Sequence, residues 1–293
     1  MDLPVSVTAL GEQLRGAGEI VPDPALFCEA EVYAAEREQI FSRSVLAVDH
    51  ATRLAEDGRY FRCDAAPRSM ILTRESGGRL YALRNICLHS GYPICDAEEG
   101  SGERLICPYH GWEYTLAGRL VEPELSSRID PARLQVMSYP VRVRNGLIFV
   151  DPDGKADPID GSASAVPAWL EGASVVRRAR HGTSWNWKFL RHFLRSSPDL
   201  FFKETPDLDL EFGPLSFMIT QGRRAVLLRV IPRTVQQTDF QVIEMTAEGG
   251  MQNSGCASES DAVTDALRHA DTSFSWFDRR FAGWYWSLMS AAQ

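Results

Sequence analysis

The sequence predicts an α+β fold in which a small antiparallel β domain precedes a second domain of strands and helices. Short strand-like runs follow one another between residues 43 and 152, with Gly, Asp and Pro turns between them. Farther along, helical spacing at 183–196 and 261–289 flanks strand-like runs between 215 and 247. The chain has 293 residues, 44% of them hydrophobic, which suffices for one large or two ordinary domains with packed cores.

The first predicted element is an amphipathic helix that spans residues 23–45. Asp23 is a suitable N-cap residue, and four apolar side chains are spaced to face a core. These four are Phe27, Val32, Ile40 and Phe41. We therefore assign residues 1–42 to an N-terminal segment with a lead-in helix.

Residues 43–152 form the predicted β domain. Its strand signals are the runs "RYFRCDA", "RSMILTR", "RLYALRN", "ERLICPY" and "QVMSYPVRVRNGLIFVDP". Residues 153–168 are rich in Pro, Gly and Asp, a composition typical of a linker. The second domain extends from 169 to 293, and a polar loop at 249–260 precedes its C-terminal helix or helices.

Charge and cysteine content argue against several classes of protein. The formal net charge of −8 disfavours non-specific binding to nucleic acid or to an anionic membrane. No apolar run approaches the roughly 20 residues of a membrane helix, and the first residues do not resemble a signal peptide. Six cysteines are too sparse for a disulfide scaffold in this chain, so we expect a reducing, cytoplasmic location.

The strongest chemical signal is the stretch "CLHSGYPICDAEEGSGERLICPYHGW". It contains Cys87-x-His89 and, after seventeen residues, Cys107-x-x-His110. Two loops that each offer one thiolate and one imidazole suit a [2Fe–2S] cluster in which two Cys bind one iron and two His bind the other. Neutral imidazoles make the cluster less negative, which places its reduction potential at roughly −150 to +300 mV.

Two other interpretations of these four residues stay open. One is a structural zinc site, although zinc fingers usually pair Cys with Cys and His with His at other spacings. The other is a coincidence of core residues. Cys95 has no obvious partner in either loop, and we expect it to be a packed free thiol.

The motif "CLHSG…CPYHGW" resembles the Rieske domain of the Rieske non-haem iron oxygenases, specifically their large (alpha) subunits. The segments "NWKFLRHF" and "FDRRFAGWYWSLM" are similar to the opening of that family's iron-binding helix and to its closing helix. The resemblance implies a Rieske antiparallel β domain followed by a shortened helix-grip domain, a curved antiparallel sheet with helices. This chain departs from the family at Ser90, where Arg is frequent.

The resemblance also implies a mononuclear iron that this chain lacks the histidines to bind. The family's iron-binding helix carries an acid and two histidines, and their positions fall near Arg195, Pro198 and Lys203. The six histidines are His50, His89, His110, His181, His192 and His269. Once the cluster takes two, no two of the others lie within two helical turns. We therefore expect the mononuclear iron to be absent.

Two further possibilities concern the residues around this helix. His181, His192 and either Asp199 or Glu204 could form a replacement triad for iron. Alternatively, a cation such as Arg195 lies near the carboxylates of Asp199 and Glu204 and replaces part of the missing metal charge, whereas Lys203 is a solvated surface charge.

These features predict an auxiliary subunit of a hetero-oligomeric, trimer-based Rieske oxygenase. Its cluster would relay electrons from a reductase or ferredoxin to the iron of a partner alpha subunit that performs hydroxylation or demethylation. The acidic charge is compatible with a basic donor as well as with ordinary solubility. The alternatives are an active oxygenase with an unorthodox iron site and a structural partner with a redox-silent cluster.

Overall fold

The computed structural model describes residues 3–65, 68–121, 130–154, 161–247, 266 and 276–291. They divide into two compact units. The β unit contains Val45–Ala173, and the mixed unit combines Met1–Ser44 with Ser174–Gln293. Antiparallel sheets dominate and helices are few, so the predicted α+β class is confirmed. The domain boundaries proposed from the sequence stay a prediction.

The described part of the β unit contains ten strands in three antiparallel sheets. The sheets have the strand orders β1-β10-β9, β5-β2-β3-β4-β8 and β6-β7. The strands are β1 (Leu46–His50), β2 (Arg59–Ala65), β3 (Arg68–Arg74), β4 (Leu80–Arg84), β5 (Glu99–Ser101), β6 (Arg104–Ile106), β7 (Glu113–Thr115), β8 (Ser138–Tyr139), β9 (Val141–Arg144) and β10 (Leu147–Val150). Short 3-10 turns lie at Ala51–Leu54, Pro131–Leu134, Gly161–Ala165 and Ala168–Gly172.

The run "QVMSYPVRVRNGLIFVDP", expected to be one strand signal, is divided into the three strands β8, β9 and β10. Pro140 separates β8 from β9, since proline has no N–H to donate to a ladder. Asn145 and Gly146, with φ of 46° and 81°, form the two-residue turn between β9 and β10. A side chain at Gly146 would also collide with the imidazole of His50 and with the carbonyl oxygen of Leu170.

The mixed unit contains one five-stranded antiparallel sheet and five described α-helices. The sheet order is β11-β15-β14-β13-β12. Its strands are β11 (Ser174–Thr183), β12 (Leu208–Glu211), β13 (Ser216–Gln221), β14 (Arg224–Thr234) and β15 (Gln237–Thr246). The helices are α1 (Val5–Arg15), α2 (Ala25–Cys28), α3 (Ala30–Glu36), α4 (Trp187–Ser196) and α5 (Arg279–Ser290).

The expectation of one continuous helix over residues 23–45 is wrong. Glu29 adopts an extended conformation, with φ −83° and ψ 135°, and separates α2 from α3. A π-helical turn at Arg37–Phe41 then ends the segment. The carboxylate of Asp23 accepts the N–H of Ala25 at 2.9 Å, while Pro24 occupies the N-cap position. The four apolar side chains expected to face a core are buried.

Helix α4 begins later than the helical spacing from residue 183 indicated. Thr183 ends β11, and the side chain of Asn186 caps the helix by accepting the N–H of Lys188 at 3.0 Å. The predicted polar loop at 249–260 lies outside the described residues. None of the described helices combines the length and the apolar character needed to span a bilayer.

A buried ionic network joins α3, α4 and α5 within the mixed unit. One carboxylate oxygen of Glu36 accepts a hydrogen bond from the ammonium group of Lys188 and a second, at 2.7 Å, from the hydroxyl of Tyr285. The other oxygen accepts the indole N–H of Trp187 at 2.7 Å. Glu36 and Lys188 are both fully buried. Burial lowers the pKa of Lys188, and the adjacent carboxylate of Glu36 acts in the opposite direction.

We expect Glu36→Gln to lower the free energy of unfolding by about 3–5 kcal/mol, because it leaves the charge of Lys188 buried without its partner. Urea denaturation of the intact chain measures this. Glu38→Gln, at an exposed position of the same segment, is the matched control and should stay within about 0.5 kcal/mol of wild type. Adding Lys188→Met to Glu36→Gln should restore part of the loss. A change below about 1 kcal/mol in Glu36→Gln would contradict the network's role.

Candidate functional site

Two loops of the β unit, 87–92 and 107–112, share one backbone arrangement. In the first, the N–H of Cys87 donates to the carbonyl of Tyr92 at 2.7 Å, and the N–H of Gly91 donates to the carbonyl of Cys87 at 2.9 Å. The second loop repeats both hydrogen bonds between equivalent residues, at 2.8 and 3.0 Å. The candidate ligands are therefore presented by two closed turns of the same kind.

A glycine closes each of these turns. Gly91 and Gly111 both have φ of +74°, a left-handed conformation that residues with a side chain rarely adopt. No atom lies within 4 Å of a Cβ built at either position, so the backbone conformation alone requires glycine here. This explains why a glycine follows each candidate histidine closely in the sequence.

The two candidate thiols are buried and near enough for each to affect the pKa of the other. Cys87 is 2% exposed and Cys107 is 1% exposed. Two backbone N–H groups of its own loop point at each sulfur. These groups belong to His89 and Ser90 in the first loop and to Tyr109 and His110 in the second. Such donors stabilise negative charge on sulfur.

The pKa values of the two thiols shift in opposite directions for two reasons. A phenol lies beside Cys87, and the interaction between the thiols lowers the pKa of Cys87 and raises that of Cys107. Burial raises the pKa of Cys87, but the hydrogen bonds from Tyr114 and from the backbone outweigh burial, and the pKa lies below its ordinary value. Burial raises the pKa of Cys107 above its ordinary value.

The two candidate imidazoles lie at the surface. His89 and His110 are both exposed, and their ring centroids are 4.6 Å apart. The indole of Trp112 stacks on His89 at 4.7 Å with an interplanar angle of 10°, and the ring of Tyr109 lies 4.0 Å from that of His110. Aromatic neighbours therefore orient both imidazoles.

The four residues suit a two-iron cluster in their arrangement. Cys87 and Cys107 form a buried pair, and His89 and His110 form an exposed pair. Within the part of the chain that the structure describes, no three His, Cys, Asp or Glu side chains converge as ligands of one ion. A [2Fe–2S] cluster with two Cys on one iron and two His on the other needs two such pairs and no triad.

Tyr114 is a site residue that the sequence reasoning missed. Its hydroxyl lies 3.1 Å from the sulfur of Cys87 and accepts the N–H of Leu88 at 3.0 Å. Since the hydroxyl already accepts this N–H, its proton is available to the sulfur. The ring is fully buried, and burial raises the pKa of Tyr114 strongly. No local signal identifies this contact, because the tyrosine and the cysteine are 27 residues apart.

Cys95 is a buried free thiol, as expected. Its sulfur donates to the carbonyl of Ala97 at 3.4 Å. The side-chain amide of Asn85 bonds to both backbone groups of Cys95, at 2.8 and 2.9 Å. These bonds fix the chain on both sides of the first loop.

In the mixed unit, the structure places His181 and His192 against different aromatic rings. His181 on β11 stacks on Phe240 with 4.9 Å between ring centroids. His192 on α4 stacks on Trp276 at 4.7 Å, and its ring nitrogen lies 3.3 Å from the hydroxyl of Ser196. No described triad of metal ligands includes either histidine. His269 lies outside the described residues.

Arg195 pairs with carboxylates, but not with the ones anticipated. Its guanidinium bonds to Glu211 and, at 2.5 Å, to Asp209, both on the neighbouring strand β12. Asp199 and Glu204 are exposed instead. The reason is local: Pro198 begins a separate 3-10 turn after α4 ends at Ser196.

A second arginine of α4 bonds to one of these carboxylates, that of Glu211. Arg191 is buried, donates to Glu211 at 2.6 Å and to the carbonyl of Pro214 at 3.0 Å, and lies 4.0 Å from the ring of Trp284. Burial lowers the pKa of Arg191, and Glu211 opposes that shift. Lys203 is exposed, in agreement with the expectation for it. Two guanidinium groups thus neutralise Asp209 and Glu211.

Comparison with known proteins identifies the region that carries the two loops. Residues 44–140 match the family described as Rieske [2Fe-2S] domain. The benzene 1,2-dioxygenase subunit alpha of Pseudomonas putida is 28% identical over 188 residues, which cover 59% of this chain and 41% of that protein. The glycine betaine monooxygenase oxygenase subunit of Pseudomonas aeruginosa is 24% identical over 177 residues, with 58% and 41% covered. The chain thus spans about two fifths of the length of these relatives.

Solved structures share the fold at low sequence identity. The apo form of the quaternary ammonium Rieske monooxygenase CntA has a TM-score of 0.67 and 17% identity, covering 86% of this chain and 80% of that one. Naphthalene 1,2-dioxygenase from Rhodococcus sp. bound to indole has a TM-score of 0.62 and 16% identity, covering 98% and 85%. The fold predicted from the sequence is confirmed by these similarities.

We expect Tyr114→Phe to lower the reduction potential of the bound cluster by roughly tens of millivolts, because hydrogen bonds to the sulfur ligands stabilise the reduced, more negative state. Redox titration followed by absorbance or electron paramagnetic resonance measures this. Tyr60→Phe is the control, since Tyr60 packs against the same apolar core as Cys87 and Cys107. An unchanged potential in Tyr114→Phe would show that the hydroxyl does not act on the cluster.

Proposed function

Because this chain carries a Rieske [2Fe–2S] domain and is related to the alpha subunits of Rieske oxygenases, we propose that it is their auxiliary electron-transfer subunit. It receives electrons from a reductase or ferredoxin and passes them to the mononuclear iron of a partner alpha subunit, which performs hydroxylation or demethylation. The observation that carries this proposal is the contrast between the assembled cluster site in the β unit and the arginine–carboxylate network on α4.

Cys87, His89, Cys107 and His110 are the proposed cluster ligands. When bound, the cluster supplies reversible one-electron transfer. The buried thiols are shielded from water, and the backbone N–H groups and Tyr114 direct donors at them. The exposed imidazoles lie where a protein partner can contact them. The sulfur ligands are therefore buried, while the histidine ligands, through which electrons would leave the cluster, are exposed.

In the mixed unit, the charges on α4 support the proposed absence of a mononuclear iron from this chain. An iron of this type needs carboxylate and histidine ligands that are free to coordinate it. Here Asp209 and Glu211 of β12 accept hydrogen bonds from Arg191 and Arg195 of α4. A cation therefore already compensates each of these charges.

The proposed partners follow because this chain is proposed to bind the cluster but not the mononuclear iron. An auxiliary chain needs a catalytic alpha subunit that supplies the mononuclear iron, in a hetero-oligomer based on trimers. It also needs a ferredoxin or flavin reductase as electron donor. The relatives of this chain are themselves named as subunits, which supports an assembly of several chains.

We expect the chain, purified without oxygen, to contain about two irons and two acid-labile sulfides per polypeptide. The reason is that four ligands serve the cluster, while α4 presents arginines to the carboxylates of β12. Elemental analysis and a sulfide assay measure this, and cluster-free chain with Cys87→Ser and Cys107→Ser gives the background. A reproducible third iron that persists in an Asp209→Asn/Glu211→Gln variant would favour a site at His181 and His192. It would overturn this part of the proposal.

We expect Cys107→Ser to abolish electron delivery to the catalytic partner while leaving assembly of the two chains intact. The substitution removes a cluster ligand in the β unit. Co-purification reports assembly, and single-turnover product formation reports electron delivery. Cys28→Ser, at an exposed free thiol, is the matched control. Full activity of a complex that contains Cys107→Ser would show that the chain has only a structural role.

A further inference from the structure

A groove of about 570 Å³ opens on the β unit where β8 leaves the edge of β4. The strand β8 pairs with β4 only at Ala82 and Leu83, and the chain then turns through Pro140 into β9. The start of β4 and the strand β9 therefore form the two walls. The charged and aromatic residues that line the groove are Arg79, Tyr81, Tyr139 and Arg142.

The groove is basic in a chain whose formal net charge is −8. Arg79 and Arg142 are exposed on its two walls, and neither forms an ion pair with a described residue. No lining residue is acidic. Arg84 and Arg144, on the same two strands, are exposed as well. The charged residues that line the groove are therefore opposite in sign to the net charge of the chain.

Two tyrosines, Tyr81 and Tyr139, line the groove. The guanidinium of Arg79 lies 5.3 Å from the ring of Tyr81, whose hydroxyl donates to Glu75 at 3.0 Å. Tyr139 is 4% exposed, and its hydroxyl has no hydrogen-bond partner among the described groups. Arg68 lies 5.6 Å from the ring of Tyr139. Stacked arginine and tyrosine side chains are common at the centres of protein interfaces.

The groove is connected to the cluster site by packed side chains. Tyr81 lines the groove and also packs against the apolar core that contains Cys87 and Cys107. Leu83, two residues farther along β4, is a fully buried member of that core. A molecule bound in the groove would therefore be separated from the sulfur ligands by contiguous protein atoms of the same unit.

We propose that this groove docks the electron donor of the chain, and that the donor presents an acidic surface to it. This inference rests on the proposed function. On both walls there are guanidinium groups that form no ion pair with a described residue, and such groups favour carboxylates. Charge complementarity of this kind accelerates and orients protein encounters. Arg84 and Arg144 extend the basic surface beyond the groove, and Val143, which is 42% exposed, adds apolar contact area, so the region suits a protein surface. The net charge of the chain alone is compatible with a basic donor, whereas the arginines of the groove favour an acidic one.

The test uses an acidic plant-type [2Fe–2S] ferredoxin as probe, whose potential of about −400 mV is low enough to reduce a Rieske cluster. Affinity for the cluster-loaded chain is measured by calorimetry at about 50 and 150 mM salt, and stopped-flow absorbance follows cluster reduction. The variant is Arg79→Glu/Arg142→Glu. The matched control is Arg223→Glu/Arg224→Glu, at the exposed start of β14 in the mixed unit. Each double reversal lowers the formal charge by 4, from −8 to −12.

We expect the groove variant to lose at least about tenfold in affinity and in the second-order rate of reduction, with a weaker salt dependence. The control should change by less than about threefold, because it alters only the net charge. Dithionite should reduce all three proteins equally, which shows that the cluster is intact. An equal loss in both variants would overturn the inference, since net charge alone would explain it.

Two other outcomes separate this inference from the proposed function. If ferredoxin reduces wild type and the groove variant at the same rate, the groove is not the docking site, while the relay function stands. If dithionite reduces the wild-type cluster but no ferredoxin or reductase does, both the docking site and the relay function fail. If free citrate binds in the groove but ferredoxin does not bind at all, the groove is a site for small carboxylates and the proposal that a protein docks there fails.

Discussion

The candidate site depends on the backbone hydrogen bonds that close the loops 87–92 and 107–112. Each loop turns back at a glycine, so the cysteine and the histidine of one loop leave the same turn in different directions. The sulfurs then point into the apolar core, and the imidazoles point to the surface. This separation lets a charged cluster be held in a dry environment with an outlet for electrons.

The mixed unit meets a different constraint, which is the cost of burying charge. Glu36 and Lys188 are fully buried, and each carboxylate oxygen of Glu36 has donors from α4 or α5. Arg191 and Arg195 form a second network with Asp209 and Glu211. Buried charge is tolerated only when it is paired, and the three cations of α4 that enter these networks, Lys188, Arg191 and Arg195, each have a carboxylate partner.

These two arrangements assign different tasks to the two units. In the β unit, polar donors converge on sulfur atoms that bind iron in the proposed function. In the mixed unit, arginine side chains of α4 form ion pairs with the carboxylates of β12. The arginine groove adds a surface whose charge differs from that of the chain as a whole, which net charge cannot reveal.

The sequence by itself determined the α+β class and the two loops, because ligand identity and glycine positions are local properties of the chain. It also predicted the buried face of residues 27–41, but not the break at Glu29, since backbone conformation there follows from tertiary packing. Only the tertiary structure decided that Tyr114 bonds to Cys87 and that Arg195 pairs with Asp209 and Glu211. These contacts join residues that are distant in the chain or on different elements, and their geometry depends on strand register and on where helix α4 ends.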